Sequence, residues 1–230
     1  MPDADTIFEN LERVNERISA ACDRAGRKRE DVQLLAVSKT KPVELIQLAI
    51  DAGQTAFGEN RVQEGIAKVP ALSDHLDWHL IGPLQKNKIR KALPLFGTIH
   101  TIENLDNAEQ VNRIAAEEGL YPRVFLQLNL ADEATKHGFT RQALRRDLDA
   151  LLGLDRLEIS GLMIIPPFMA DPEDARKSFV ELREFREQLL TESGLRFDDL
   201  SMGMSHDFEV AIEEGSTVVR VGTAIFGARK

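Results

Sequence analysis

The sequence predicts an α/β chain folded as a single (β/α)8 barrel with an extra N-terminal helix. Three observations carry that expectation. Eight short apolar runs alternate with amphipathic helical patterns along the 230 residues, a length near the ~250 typical of such barrels. Runs such as LLAV, RVFLQL and GLMII are continuously apolar, as strands buried on both faces must be. No GxGxxG follows the first strand, which disfavours the open, doubly wound sheet.

The first helix is expected from Thr6, where Thr6 and Glu9 have capping-box spacing; Ile7, Leu11, Val14 and Ile18 line one face and Gly26 marks the end. Strand one is expected over 32–38, ending at Lys39. Pro42 stands at the first position of the second helix, and Gly53 closes it. Further strands are expected near 56–58, 78–81, 98–102, 124–128, 159–164, 200–202 and 218–221. After the eighth strand only AIFGARK remains, so the N-terminal helix is expected to fill the place of the missing last helix, beside the last strand. No repeat or Pro/Ser-rich linker interrupts the pattern, and one barrel domain is expected over 1–230.

Composition narrows the function classes. With 43% hydrophobic and 29% charged residues the chain is neither disordered nor fibrous. The lone cysteine, Cys22, excludes an intrachain disulfide and a cysteine metal cluster and suits a reducing cytosol. The acidic start MPDADTIFEN is unlike a signal peptide, and no run approaches the ~20 apolar residues of a membrane helix. A cytoplasmic protein without membrane contact is expected. The net charge of −9 argues against general nucleic-acid binding but not against one local phosphate site.

In a barrel, chemistry gathers at the C-terminal ends of the strands, and residues two apart on a strand share a face. Leu35, Val37 and Lys39 share one, with Lys39 last. It is either a solvated strand-end charge or an amine partly desolvated at the rim, and desolvation favours the neutral nucleophile that forms Schiff bases with aldehydes. Lys41 has the same parity but sits beside Pro42 at a helix start and ranks lower. After strands seven and eight come Ser201-Met202-Gly203-Met204-Ser205 and Gly222-Thr223-Ala224. They make either plain turns or the phosphate site that barrels frequently place there. Lysine and cradle become neighbours once the barrel closes, and together describe a phosphorylated aldehyde held as an imine. Arg220 faces away from Val219 and Val221 and needs a partner, a structural carboxylate or a ligand acceptor. Asn60 follows strand two and His79 lies on strand three; each is a structural hydrogen-bonding residue or a ligand contact. Glu59 either caps the following helix or pairs with Lys39. His75, His100, His137 and His206 show no HxH or HExxH spacing, so no metal site is expected. The basic run 86–91 reads most simply as a solvated helix face.

The stretches LLAVSKTKP, FGEN, WHLIGPLQ and SMGMSHDFEVAIEEGSTVVRVGTAIFGAR resemble the pyridoxal phosphate homeostasis protein family (YggS/PROSC-like). The likeness runs nearly end to end. It implies a barrel similar to the N-terminal domain of bacterial alanine racemase and pyridoxal 5′-phosphate (PLP) as cofactor, held as a Schiff base on Lys39. It further implies that Ser205, Gly222 and Thr223 hold the phosphate and that Arg220 faces the pyridine nitrogen, with Asn60 and His79 completing the site. The family is thought to buffer or deliver PLP, which makes apo PLP-dependent enzymes and free amino acids the expected partners of a non-catalytic carrier. The alternatives are a PLP-dependent racemase or decarboxylase, or a Schiff-base aldolase. In the related racemases a tyrosine from a separate C-terminal domain supplies a second acid/base group. Tyr121, the one tyrosine, precedes strand five at the opposite end of the barrel, so no second base is evident. Without that domain, which helps to build the racemase dimer, a monomer is expected.

Overall fold

The computed structural model describes residues 2–130, 137–194 and 197–228. Eight parallel strands close into a barrel in chain order: β1 (Gln33–Val37), β2 (Ala56–Glu59), β3 (Asp77–Leu80), β4 (Thr98–Ile102), β5 (Arg123–Gln127), β6 (Glu158–Met163), β7 (Asp199–Met204) and β8 (Val218–Val221). The ring closes by pairing of β1 with β8, Leu35 lying opposite Arg220 and Ala36 opposite Val221. Around it run α1 (Ala4–Arg24), α2 (Val43–Asp51), α3 (Val62–Lys68), α4 (Ile89–Ala92), α5 (Leu105–Glu118), α6 (Arg141–Leu152), α7 (Arg176–Ser193), α8 (Phe208–Glu213) and α9 (Thr223–Phe226).

Strand parity divides the core in two. Leu35, Val37, Ala56, Ile81, Phe125 and Met163 form a cluster inside the barrel. Their sequence neighbours Leu34, Ala36, Phe57, Leu80, Leu126 and Leu162 point outward and pack under the helices. Full burial of each large side chain stabilises by roughly 1.5–3 kcal/mol.

α1 buries Ile7, Leu11, Val14 and Ile18 and packs against α2, α8 and α9. It occupies the place a full eighth helix would take, since α9 is one short turn. The Asn10 side chain donates to the Ile225 carbonyl at 2.9 Å, and Arg17 pairs with Glu209 at 2.7 Å while lying over the Phe208 ring. The helix begins at Ala4, earlier than the Thr6 expectation, because Asp3 is the cap and accepts from the Thr6 N–H at 2.9 Å. Pro42 precedes α2 as its N-cap instead of opening it. In the basic run Lys86, Arg90 and Lys91 are exposed while Ile89 is buried, and two of the cations are tied to acidic neighbours: Lys86 pairs with Asp106, and Arg90 with Glu117 and Glu118. Among the described residues no helix is long and apolar enough to cross a membrane, and no cluster of three or more metal-ligating side chains is found.

Candidate functional site

β1 ends at Val37, two residues short of the expected end, so Lys39 lies half-buried in the turn that leaves the strand. The cause is local. Ser38 donates its hydroxyl to the Glu59 Oε1 at 2.7 Å, and the Lys68 ammonium donates to the Ser38 carbonyl at 2.9 Å. Lys68 also binds Glu59 at 2.7 Å and Glu64 at 2.9 Å, and the Thr40 N–H donates to Glu64. Thr40 adopts a left-handed conformation with φ 64°, uncommon for a β-branched residue and sustained by those bonds. The backbone of Lys39 is thus clamped on both sides. Glu59 pairs with Lys68 and Ser38 and does not cap α3, whose N-cap is Arg61. Burial pushes the Glu59 carboxyl above its ordinary range, a rise that Lys68 and Ser38 moderate. Lys41 is a structural cation: its ammonium donates to the carbonyls of Phe226 and Gly227 at 3.0 and 3.1 Å.

Across the β1–β8 seam, Gly222 follows β8. A Cβ there would stand 3.2 Å from the Val37 carbonyl, so a side chain would crowd the end of β1. The Gly222 N–H donates to the Ser205 hydroxyl oxygen at 3.0 Å, and the Ala224 N–H approaches the same oxygen at 3.5 Å. Thr223 lies between them, exposed. Two main-chain N–H groups therefore converge on one hydroxyl at the mouth of the barrel beside the Lys39 turn, groups of the kind that bind phosphate oxygens.

Arg220 lies deeper and is 4% exposed. It donates to the Ser201 hydroxyl oxygen at 2.6 Å and to the Ile164 carbonyl at 2.8 Å. Both acceptors are neutral, and among the described residues it forms no ion pair, so the structural-carboxylate reading is not what the structure presents. Burial pushes its pKa down to about 10, slightly opposed by Asp207, and it remains a cation at neutral pH.

Asn60 follows β2 and is half-buried; its carbonyl oxygen would lie 2.1 Å from a Cβ on Gly82, so the two loops touch backbone to backbone. His79 lies inside the barrel with both ring nitrogens engaged, Nε2 with Asp77 at 2.7 Å and Nδ1 with His100 Nε2 at 2.8 Å. His100 Nδ1 meets the Ser201 hydroxyl at 2.8 Å, and the ring stacks on Phe125. The structure thus gathers Lys39, Ser205, Gly222 and Thr223 at the mouth, with Arg220 below them, Asn60 at the neighbouring strand end and His79 further in.

Sequence reasoning missed Lys68 and Asp77, weighed His100 only as a metal ligand, and placed Ser201 in the phosphate cradle, whereas it lies within β7 and bonds Arg220 and His100. The available signal was alternation: Asp77 and His79, and Thr98 and His100, are polar pairs at period two in short strands. Beside Arg220 a cavity of about 340 Å³ opens between the ends of β5 and β6, lined by Gln127, Asn129, His137, Ile164 and Pro166. A larger groove of about 540 Å³ lies outside the barrel on α1, and its acidic lining of Glu12, Glu16 and Asp23 suits no anionic ligand.

The family model of the alanine racemase N-terminal domain matches residues 9–230. The pyridoxal phosphate homeostasis protein of Aquifex aeolicus is 44% identical over 223 residues, covering 96% of this chain and 98% of that protein. The protein of the same name from Escherichia coli K12 is 44% identical over 232 residues, covering 97% of each. Among solved structures, PipY of Synechococcus elongatus with PLP bound superposes with a TM-score of 0.86 at 41% identity, over 96% of this chain and 100% of that one. An alanine racemase of Clostridium difficile shares the fold, with a TM-score of 0.78 at 17% identity, over 98% of this chain and 57% of its own.

Proposed function

The chain belongs to the alanine racemase N-terminal domain family, among its pyridoxal phosphate homeostasis proteins, and from that premise we propose that it binds PLP as a Schiff base on Lys39 and buffers or delivers it. The Lys39 amine condenses with the aldehyde, losing water as the C=N bond forms. Ser205, Thr223 and the Gly222 N–H hold the phosphate, Arg220 faces the ring nitrogen, and Asn60 lies at the mouth. His79 contributes from beneath, through His100. The observation that carries the reading is the convergence of the Gly222 and Ala224 N–H groups on the Ser205 hydroxyl, across the seam from the clamped Lys39 turn.

A non-catalytic role follows from the same residues. When bound, PLP withdraws electrons toward a protonated ring nitrogen. A guanidinium there opposes that proton, where a carboxylate would favour it. Tyr121 is 59% exposed just before β5, at the far mouth, and offers no second base at the site. A single barrel domain over 1–230, acting as a cytoplasmic monomer on PLP, free amino acids and apo PLP-dependent enzymes, completes the reading.

Borohydride reduction of the PLP-loaded protein, followed by peptide mapping, tests it. The label is expected on Lys39 and is lost in Lys39→Ala. Label on another lysine overturns the assignment, and failure of the loaded protein to reactivate an apo PLP-dependent enzyme overturns delivery.

A further inference from the structure

A chain of hydrogen-bonded side chains runs through the barrel interior from its N-terminal end to Arg220. It starts at Asp77, half-exposed at the N-terminal end of β3, and passes through His79, His100 and Ser201 to Arg220. The links are 2.7, 2.8, 2.8 and 2.6 Å, and each of the three inner members is at most 1% exposed.

Its two ends differ in kind. A guanidinium has donors only, and an ionised carboxylate has acceptors only. Arg220 takes one lone pair of Ser201, and Ser201 could still meet His100 Nδ1 either through its second lone pair or through its O–H, so the Asp77 end decides. With both rings neutral, His79 carries its proton on Nε2 and gives it to Asp77, and its Nδ1 must accept from His100 Nε2. His100 Nδ1 is then bare and accepts from the Ser201 O–H. Every donor meets an acceptor in this direction; in the reverse direction the Asp77 end faces a bare nitrogen unless a further proton is added. Burial, reinforced by His79, Arg220 and Arg123, holds the His100 pKa well below its ordinary value, in keeping with a neutral ring. Gln33 also donates to the Asp77 carboxylate, at 3.1 Å, which helps to keep it an acceptor.

We propose that Asp77, His79, His100 and Ser201 are positioning residues for Arg220, a hydrogen-bond chain whose single direction is imposed by its acceptor-only Asp77 end. In that direction the Ser201 hydroxyl is turned toward His100 and presents its lone pairs to the guanidinium, and the residues beyond keep it turned. The role of Arg220 toward the ring nitrogen rests on the function proposed above; the direction of the chain does not.

The test is nitrogen-15 NMR of the histidine rings in the full-length protein without cofactor. His79 and His100 are both expected as neutral rings protonated on Nε2 at neutral pH. A His100 protonated on Nδ1 overturns the proposal, and this measurement needs no variant. In Asp77→Asn the acceptor-only end is gone, and His79 and His100 are both expected to populate both tautomers; in Ser201→Ala the Asp77 end remains, and both rings are expected to stay protonated on Nε2. Unchanged single tautomers in Asp77→Asn, or mixed tautomers in Ser201→Ala, overturn the claim that the Asp77 end sets the direction. Ser201→Ala is further expected to weaken PLP and pyridoxal alike, by about tenfold, with rescue by Ser201→Thr. Loss confined to PLP would remove Ser201 from the Arg220 side of the site. If wild-type protein binds no PLP, the proposed function fails while the tautomers still decide the relay.

Discussion

Replacing Lys68 by methionine tests how the Lys39 turn is held. The ammonium has three acceptors, Glu59 at 2.7 Å and the Ser38 carbonyl and Glu64 at 2.9 Å. In Lys68→Met the fully buried Glu59 keeps one bond, from Ser38, and its Oε2 already lacks a partner. Breaking a buried pair by removing one partner costs about 3–5 kcal/mol, because a charge is left uncompensated. The loss should depend on pH. The Glu59 carboxyl is raised in the folded wild type, chiefly by burial, and removing Lys68 raises it further. A group whose folded pKa lies above its unfolded value contributes fully below the unfolded pKa, near 4.3 for Glu. That contribution is lost as pH rises through the folded value. Urea unfolding of wild type and variant at about pH 5.5 and about pH 8 should show the larger deficit at the higher pH, growing by at most about 1.4 kcal/mol per pH unit. Adding Glu59→Gln should recover a substantial part of the deficit at the higher pH. Equal losses at both pH values, or no recovery in the double variant, would refute the reasoning.

Three further outcomes are expected. Gly82→Ala places a Cβ 2.1 Å from the Asn60 carbonyl oxygen, whereas a Cβ at Gly97 meets nothing within 4 Å. Thermal melts should therefore show a loss of roughly 1–3 kcal/mol for the first and little change for Gly97→Ala. Thr223→Val should weaken PLP about tenfold, the equivalent of roughly 1.5 kcal/mol, and leave pyridoxal unchanged in equilibrium dialysis; equal weakening would place the phosphate elsewhere. Wild-type protein loaded with PLP should exchange amino-acid α-protons in deuterated buffer far below enzyme-like rates. Rapid exchange abolished by Lys39→Ala would make it an enzyme.

The barrel was legible because its strands are buried on both faces and so read as unbroken apolar runs, with turn residues between them. Strand ends were less so. Beyond Val37 the Ser38 N–H still reaches the Gly58 carbonyl, but its hydroxyl and carbonyl go to Glu59 and Lys68, two partners contributed by β2 and α3. The lysine and the glycine-rich ends of the site stood out as rule-breaking residues at strand termini. The contact between His100 and Ser201 did not. They belong to β4 and β7, separated by 101 positions, and only the closed ring brings them within hydrogen-bond distance. Lys68 looked like any last-turn helical cation, and nothing local announces that its ammonium is turned inward.

The seam has a consequence for synthesis. β1 ends at Val37 and β8 begins at Val218, so at ~5–20 residues per second the first strand waits roughly 10–40 s on the ribosome for its last partner. Until then its edge is open to wrong neighbours, a hazard for any long-lived unpaired strand. Lys39 leaves one side of that seam, while Gly222 and the Ser205 hydroxyl bonded to it stand on the other. A cofactor seated between them, as proposed, would bind the finished ring and not the nascent one, and by mass action it would shift the balance toward closure. The pool of free cofactor met by newly made chains would then influence how many of them survive to maturity.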